Sequence, residues 1–157
     1  MIVYLLLGSN IEPRLDYFNN AKALLAEKVG AIIQTSALYQ TAAWGNENQA
    51  DFLNQAIKIE STLEPIQLLN TIKEIETLTG RKQREHWGAR EIDIDILLIE
   101  KLTFKNPSLE IPHPQLHNRR FALTPLAEIA REIIHPIFNK TISELLNECR
   151  DDKAVDA

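Results

Sequence analysis

The order of strand and helix signals along this 157-residue chain leaves few folds open. Ile2 to Leu7 is an unbroken apolar run ended by Gly8-Ser9-Asn10, the mark of a buried strand. Pro13 suits a first helical turn. Leu15, Phe18, Leu25 and Val29 then fall at offsets 0, 3, 10 and 14, one helical face, and Gly30 stands at the end. Ile32 to Tyr39 predicts a second strand. Phe52 to Glu60 predicts a half-buried third, with Leu53, Ile57 and Ile59 on one face and Phe52, Asn54, Ala56 and Lys58 on the other. Pro65 opens a second helix carrying Leu68, Ile72 and Ile75, closed by Gly80. Ile92 to Ile99 predicts a further strand. The order β-α-β-β-α-β predicts an α+β fold of ferredoxin-like type, an antiparallel or mixed sheet with two helices on one face.

The rest of the chain adds to this core. Thr103 to Phe104 is a short strand candidate, and Pro112-His113-Pro114 breaks the chain before a short helix. Pro125 is expected to open a helix through Ile133. Thr141-Ile142-Ser143-Glu144 is a capping box for a last helix ending near Cys149. One domain over 1–149 and a frayed tail over 150–157 are expected.

Composition excludes several classes. Apolar residues make up 45% and charged residues 25%, a globular balance that rules out disorder, collagen and coiled coil. The longest apolar run, Met1 to Leu7, is too short to span a bilayer and lacks the basic start of a signal peptide. A single cysteine, Cys149, predicts a reducing, cytoplasmic setting. The net charge of −5 argues against coating nucleic acid or an anionic membrane. Yet residues 81–90 hold four of the 17 positive charges against one Glu. An acidic chain with one basic, glycine-containing segment points to a small anionic ligand.

The strongest local feature is Asp93-Ile94-Asp95 inside the apolar run. On a strand the two carboxylates share a face with Leu97 and Ile99, while Ile92, Ile94, Ile96 and Leu98 face the core. Their Cα atoms are then about 6.6 Å apart. Two readings compete: a solvated edge strand that carries two acids, or a pair that holds two divalent ions about 3.5–4 Å apart. Without a cation the pair repels and one pKa rises. Arg90 lies three residues before Asp93, and carboxylates for metal beside guanidinium groups for phosphate are the parts of a phosphoryl-transfer site. Oxygen ligands favour Mg²⁺ shared with substrate phosphates.

Both tryptophans precede a glycine in a polar loop, Trp44-Gly45 and Trp87-Gly88. They are either lids that stack on a flat ligand or rings that cap the core. Phe52 and Asn54 on one strand face offer a ring beside an amide. His113 and His117 have i,i+4 spacing, but neither a Glu in the H-E-x-x-H manner nor a cysteine cluster accompanies them, so zinc is rejected. The sequence holds no G-x-x-x-x-G-K-[ST], no G-x-G-x-x-G and no G-x-S-x-G. Gly8-Ser9-Asn10 reads as a turn signal only.

Together these segments resemble a known family, 6-hydroxymethyl-7,8-dihydropterin pyrophosphokinase of folate biosynthesis. The stretch His86-Trp87-Gly88-Ala89-Arg90-Glu91-Ile92-Asp93-Ile94-Asp95-Ile96-Leu97 looks like its W-G-P-R-x-x-D-L-D-I signature. Leu7-Gly8-Ser9-Asn10, Phe52-Leu53-Asn54 and Pro112-His113-Pro114-Gln115-Leu116-His117-Asn118-Arg119-Arg120-Phe121 match further segments in the right order. Gln83 and His86 stand where arginines are frequent, and Ala42 and Ala89 where prolines are.

The resemblance implies transfer of pyrophosphate from ATP to the pterin hydroxymethyl group, with AMP leaving. It implies that Asp93 and Asp95 bind two Mg²⁺ ions and that Arg81 and Arg90 hold phosphate oxygens, with Arg84 assisting. It places Phe52 and Phe121 on the two sides of the pterin ring, Asn54 at its polar edge, and Thr41, Ala42 and Trp44 around it. Trp87 would close over the site. Lys73, Glu76, Ile96, His113 and Arg119 match the ATP side. No residue stands out as a general base. The expected protein is a cytoplasmic, monomeric enzyme acting on two small molecules, without nucleic-acid or membrane partners. A ferredoxin-like nucleic-acid module is disfavoured because the sheet face carries two acids. An inactive relative is disfavoured by retention of both aspartates, Arg81 and Arg90.

Overall fold

A computed structural model describes residues 1–41, 50–82 and 89–157. In chain order the elements are β1 (Ile2–Ser9), α1 (Arg14–Lys28), β2 (Gly30–Thr35), β3 (Tyr39–Thr41), β4 (Phe52–Ser61), α2 (Pro65–Thr79), β5 (Asp93–Ile99), β6 (Phe104–Asn106) and β7 (Leu109–Ile111). A 3-10 turn (Leu116–Asn118), α3 (Arg120–Ala130), α4 (Ile142–Glu148) and β8 (Val155–Asp156) follow. The strands line up as β5-β1-β4-β3-β8, and β2 pairs with the second half of β4. Every pairing among them is antiparallel. This is the α+β, ferredoxin-like arrangement that the element order predicts.

Period-2 alternation gives the sheet two apolar faces. Val3, Leu5 and Leu7 of β1 join Ile57, Ile59, Ile94 and Ile96 beneath α1 and α2. Tyr4, Leu6, Ala56 and Leu97 join Leu123, Leu126 and Leu145 beneath α3 and α4. The predicted helix at 65–80 is present, with Pro65 in its first turn and Gly80 at φ 119° as its left-handed C-cap. The Thr141–Glu144 capping box is also present, the Thr141 hydroxyl accepting from the Glu144 N–H at 3.1 Å.

Several expectations are corrected. Leu15 is 54% exposed, so the buried face of α1 runs through Phe18, Ala21 and Leu25. Gly30 does not close α1 but opens β2. A Cβ there would lie 1.9 Å from the Glu60 carbonyl oxygen, a close approach that only glycine permits. The strand expected over 32–39 is two strands, β2 and β3, joined where Ser36 turns its hydroxyl to accept from the Ala56 N–H. Pro125 lies inside α3, five residues after its start. β7, a hairpin partner for β6, was not expected. The register between β1 and β5 shifts between Tyr4 and Leu5, which leaves Leu97 as an extra residue. Beyond that bulge the faces exchange: Leu98 joins the α3 side and Ile99 the α1 side, the reverse of strict alternation. In the tail expected to fray, Val155 and Asp156 pair with Thr41 and Gln40.

Candidate functional site

The floor of the site is a row across the sheet. Asp93 of β5 is directly opposite Gly8 of β1, and Gly8 is opposite Asn54 of β4. At about 4.8 Å per strand, Asp93 and Asn54 are about 10 Å apart, and Gly8, the residue between them in the row, carries no side chain. Gly8, expected in a turn, lies in mid-sheet. A Cβ on it would come within 3.1 Å of Asn54 Oδ1 and 3.5 Å of the Phe52 ring. Asn54 is buried, and its Nδ2 donates to the Thr41 hydroxyl at 3.0 Å.

On the β5 side, Asp93 and Asp95 project from the face covered by α3, each half-buried. Arg81, just past the Gly80 cap, reaches Glu76 at 2.8 Å and Asp93 at 3.2 Å. Glu76 projects from α2 and also accepts from the Ile94 N–H at 2.9 Å, between the two aspartates. Burial, then the charge of Asp95, pushes Asp93 up to about 7, against the pull of Arg81, Arg90 and Arg119. Burial likewise raises Asp95, opposed mainly by Arg119. Burial also raises Glu76, which the Ile94 N–H and Arg81 partly offset. Three carboxylates thus share one small region, and three guanidinium groups only partly neutralise them.

Two clefts meet at Asp95. One of about 460 Å³ is walled by Lys73, Glu76, Arg81 and the aspartates. The other, about 320 Å³, is walled by Asp95, Ile96, Glu110 and His113. The His113 N–H donates to the carbonyl of the bulged Leu97 at 2.8 Å, which fixes His113 beside β5. Its Nδ1 accepts from the Gln115 N–H at 3.1 Å, and burial followed by the Arg119 charge lowers its pKa to about 4. Arg119 precedes α3, its guanidinium carbon 5.6 Å from the centre of the Phe121 ring.

Of the residues singled out in the sequence, Lys73, Glu76, Arg81, Asp93 and Asp95 line one cleft, and Ile96 and His113 the adjoining one. Thr41, Phe52 and Asn54 lie on the β3–β4 part of the same sheet. Phe121 approaches on α3, which covers that face. Ala42, Trp44, Arg84 and Trp87 lie outside the described residues, as does the lid reading of both loops.

Sequence reasoning missed Asn10. Its N–H donates to the Arg90 carbonyl at 3.1 Å, its Oδ1 accepts from the Arg90 N–H at 2.8 Å, and its Nδ2 donates to the Ala50 carbonyl at 3.0 Å. One amide at the end of β1 therefore ties the ends of both polar loops. The signals for it were its place after the first strand and in the Leu7–Asn10 segment that matches the family.

Residues 4–131 match the family model described as 7,8-dihydro-6-hydroxymethylpterin-pyrophosphokinase (HPPK). The chain belongs to the HPPK family. Over 146 residues it is 44% identical to a 2-amino-4-hydroxy-6-hydroxymethyldihydropteridine pyrophosphokinase of Aquifex aeolicus (strain VF5), covering 93% of this chain and 91% of that one. A Bacillus subtilis (strain 168) protein of the same name is 40% identical over 133 residues, 84% of this chain and 80% of its own. Among solved structures, an HPPK-DHPS in complex with substrates superposes with a TM-score of 0.74 at 17% identity. That match covers 94% of this chain and 43% of the other, so this chain spans less than half of that protein. It shows a shared fold. Membership of the HPPK family makes the chain an enzyme, a pyrophosphokinase that transfers a pyrophosphoryl group. Among its described residues no helix is long and apolar enough to cross a membrane.

Proposed function

We propose that this HPPK-family chain transfers the terminal pyrophosphoryl unit of ATP to the hydroxymethyl oxygen of 6-hydroxymethyl-7,8-dihydropterin. A bond forms between that oxygen and the β-phosphorus, the bridge to the α-phosphate breaks, and AMP leaves. The observation that carries the reading is the row Asp93–Gly8–Asn54. It sets an acidic, guanidinium-lined pocket one bare strand away from an amide and a ring suited to a flat heterocycle.

The donor set fits Mg²⁺. Among the described residues no three His, Cys, Asp or Glu side chains form a closed ligand group. Asp93 and Asp95 would hold an ion through their carboxylate oxygens, the hard donors that suit Mg²⁺. Two Mg²⁺ ions held there would supply charge neutralisation of the triphosphate. The chain supplies the rest. Arg81, Arg90 and Arg119, with Arg84 assisting, provide fixed positive charge for the phosphates as negative charge develops. Lys73, Glu76, Ile96 and His113 complete the nucleotide side. Phe52 and Phe121 stack on the pterin, and Asn54 pairs with its polar edge while Thr41 holds the amide in orientation. Ala42 and Trp44 complete that pocket, and Trp87 excludes water. The enzyme works in the cytoplasm on two small molecules and needs neither nucleic acid nor membrane.

Incubation with ATP, Mg²⁺ and the pterin alcohol is expected to release AMP in step with pterin diphosphate. ADP as the nucleotide product, or no nucleotide turnover, would overturn the reading.

A further inference from the structure

The chain after α4 does not leave the molecule. α3 begins at Arg120 without a side-chain cap of its own. The missing acceptor comes from 31 residues away: Asp151 Oδ2 accepts from the Arg120 N–H at 3.2 Å. The Arg120 side chain returns the contact, with Nε donating to the Asp151 carbonyl at 2.7 Å and Nη2 to the Cys149 carbonyl at 2.9 Å. A carboxylate thus caps the start of one helix, and a guanidinium caps the end of another, α4, each placed where the helix dipole favours it. Asp151 Oδ1 accepts from the Lys153 N–H at 3.1 Å and sets the turn that carries the chain on to β8. β8 then pairs Val155 with Thr41 and Asp156 with Gln40, covering the outer edge of β3.

These contacts join the two walls of the aromatic half of the site. Arg120 immediately precedes Phe121, and β3 carries Thr41, the acceptor for Asn54. Arg119 is less dependent on the tail, because its N–H donates to the Leu116 carbonyl of the preceding 3-10 turn at 3.2 Å.

We propose that residues 150–157, locked through Arg120 and Asp151, position the pterin half of the site: they hold the first turn of α3, with Phe121, against the strand that carries Thr41. This inference rests on the reading that Phe121, Thr41 and Asn54 bind the pterin.

Three variants test it: Asp151→Ala, Arg120→Met and the conservative Asp151→Asn, which keeps one acceptor for the Arg120 N–H. Asp151→Ala and Arg120→Met are expected to raise the pterin KM by about fivefold to twentyfold with kcat within about threefold. Affinity for a non-hydrolysable ATP analogue is expected to stay within about twofold. Asp151→Asn should recover part of the pterin affinity. In Asp151→Ala, hydrogen exchange should quicken at the Arg120 amide and across Tyr39–Thr41. Wild-type pterin affinity in both Asp151→Ala and Arg120→Met would overturn the proposal while leaving the proposed function standing. Equal loss of pterin and ATP analogue would overturn it too, by showing a general loosening. A wild-type protein that binds no pterin would remove the reading and this inference with it, whatever the exchange data show.

Discussion

On the β5 side of the floor, Glu76, Asp93 and Asp95 face three guanidinium groups; on the β4 side, Phe52, Asn54 and Thr41 sit in a hydrogen-bonded ladder. The first region is held by opposing charges whose balance is incomplete, with all three carboxylates raised above their ordinary pKa. The second is fixed by strand register and a single amide–hydroxyl bond. The difference teaches how one sheet can carry two unlike surfaces side by side. On the proposed function, the half that would receive polyphosphate and cations keeps its charges partly unsatisfied. The half that would receive a flat ring is shaped beforehand by packing.

If that contrast is right, the largest loss comes from the charged half. Asp93→Ala and Asp95→Ala should each lower turnover by at least about 10²-fold, roughly 2.7 kcal/mol in the barrier. The fold should survive, since Ala relieves repulsion between two crowded acids. Steady-state assay with circular dichroism checks both points, and retention of more than about a tenth of wild-type turnover would dissolve the assignment.

Phe121→Ala should act on the other half alone. Loss of stacking and burial is expected to weaken pterin binding about tenfold to a hundredfold. ATP-analogue affinity should move by less than about threefold. Arg81→Ala should show the opposite preference, leaving pterin binding near wild type and impairing the phosphate step. It should also cost about 1–3 kcal/mol of stability, because Glu76 is left buried with only the Ile94 N–H. Separate titrations and a urea melt distinguish the two variants, and equal loss of both ligands in either would erase the contrast.

How much of this was legible in the sequence follows from range. The helix from Pro65 to Gly80, the capping box at Thr141 and the alternation of Phe52 to Glu60 depend on neighbours in sequence and could be read directly. So could Asp93 and Asp95 sharing a face, since the bulge lies beyond them. But the strand from Phe52, expected to be half-buried, is covered on both faces, Ala56 by the α3 side and Ile57 by the α1 side. The exchange of Leu98 and Ile99 could not be read, because a bulge is set by the partner strand and not by local residue type. Asn10, Gly8 and the Asp151–Arg120 lock were missed for a related reason: each acts on residues far off in the chain. Arg81, which the resemblance makes a phosphate ligand, also holds Glu76 and Asp93.

Gly8 probes the boundary between the halves. Gly8→Ala adds one methyl that meets Asn54 Oδ1 at 3.1 Å, tight enough to push the amide aside. An overpacking cost of about 1 kcal/mol is expected, with pterin affinity down about threefold to tenfold and ATP-analogue affinity little changed. Calorimetric titration reads both. If ATP-analogue affinity fell more than pterin affinity, the bare strand would belong to the charged half.

The smallest effect on pterin binding concerns His113, which walls the adjoining cleft with Asp95 and Ile96. Burial and the nearby Arg119 hold its pKa at about 4, and Nδ1 is already used as an acceptor from the Gln115 N–H, a bond that protonation would break. Its folded pKa lies below the ordinary value of about 6.5. The unfolded chain therefore binds the proton more readily between those two values. Neutral His113 gives a stability that is fully present above pH 6.5 and is lost as the pH falls towards 4. Relative to His113→Gln, the wild type should lose up to about 3 kcal/mol across that window, at about 1.4 kcal/mol for each unit between the two values. Between pH 7 and 8 the two should change in parallel. Chemical denaturation at a series of pH values measures the difference, and the imidazole C2–H resonance should show no midpoint above about pH 5. A midpoint near the ordinary value would mean that the imidazole is not held neutral beside Arg119, and that the cleft walled by His113 and Asp95 is open to water from the side of the 3-10 turn.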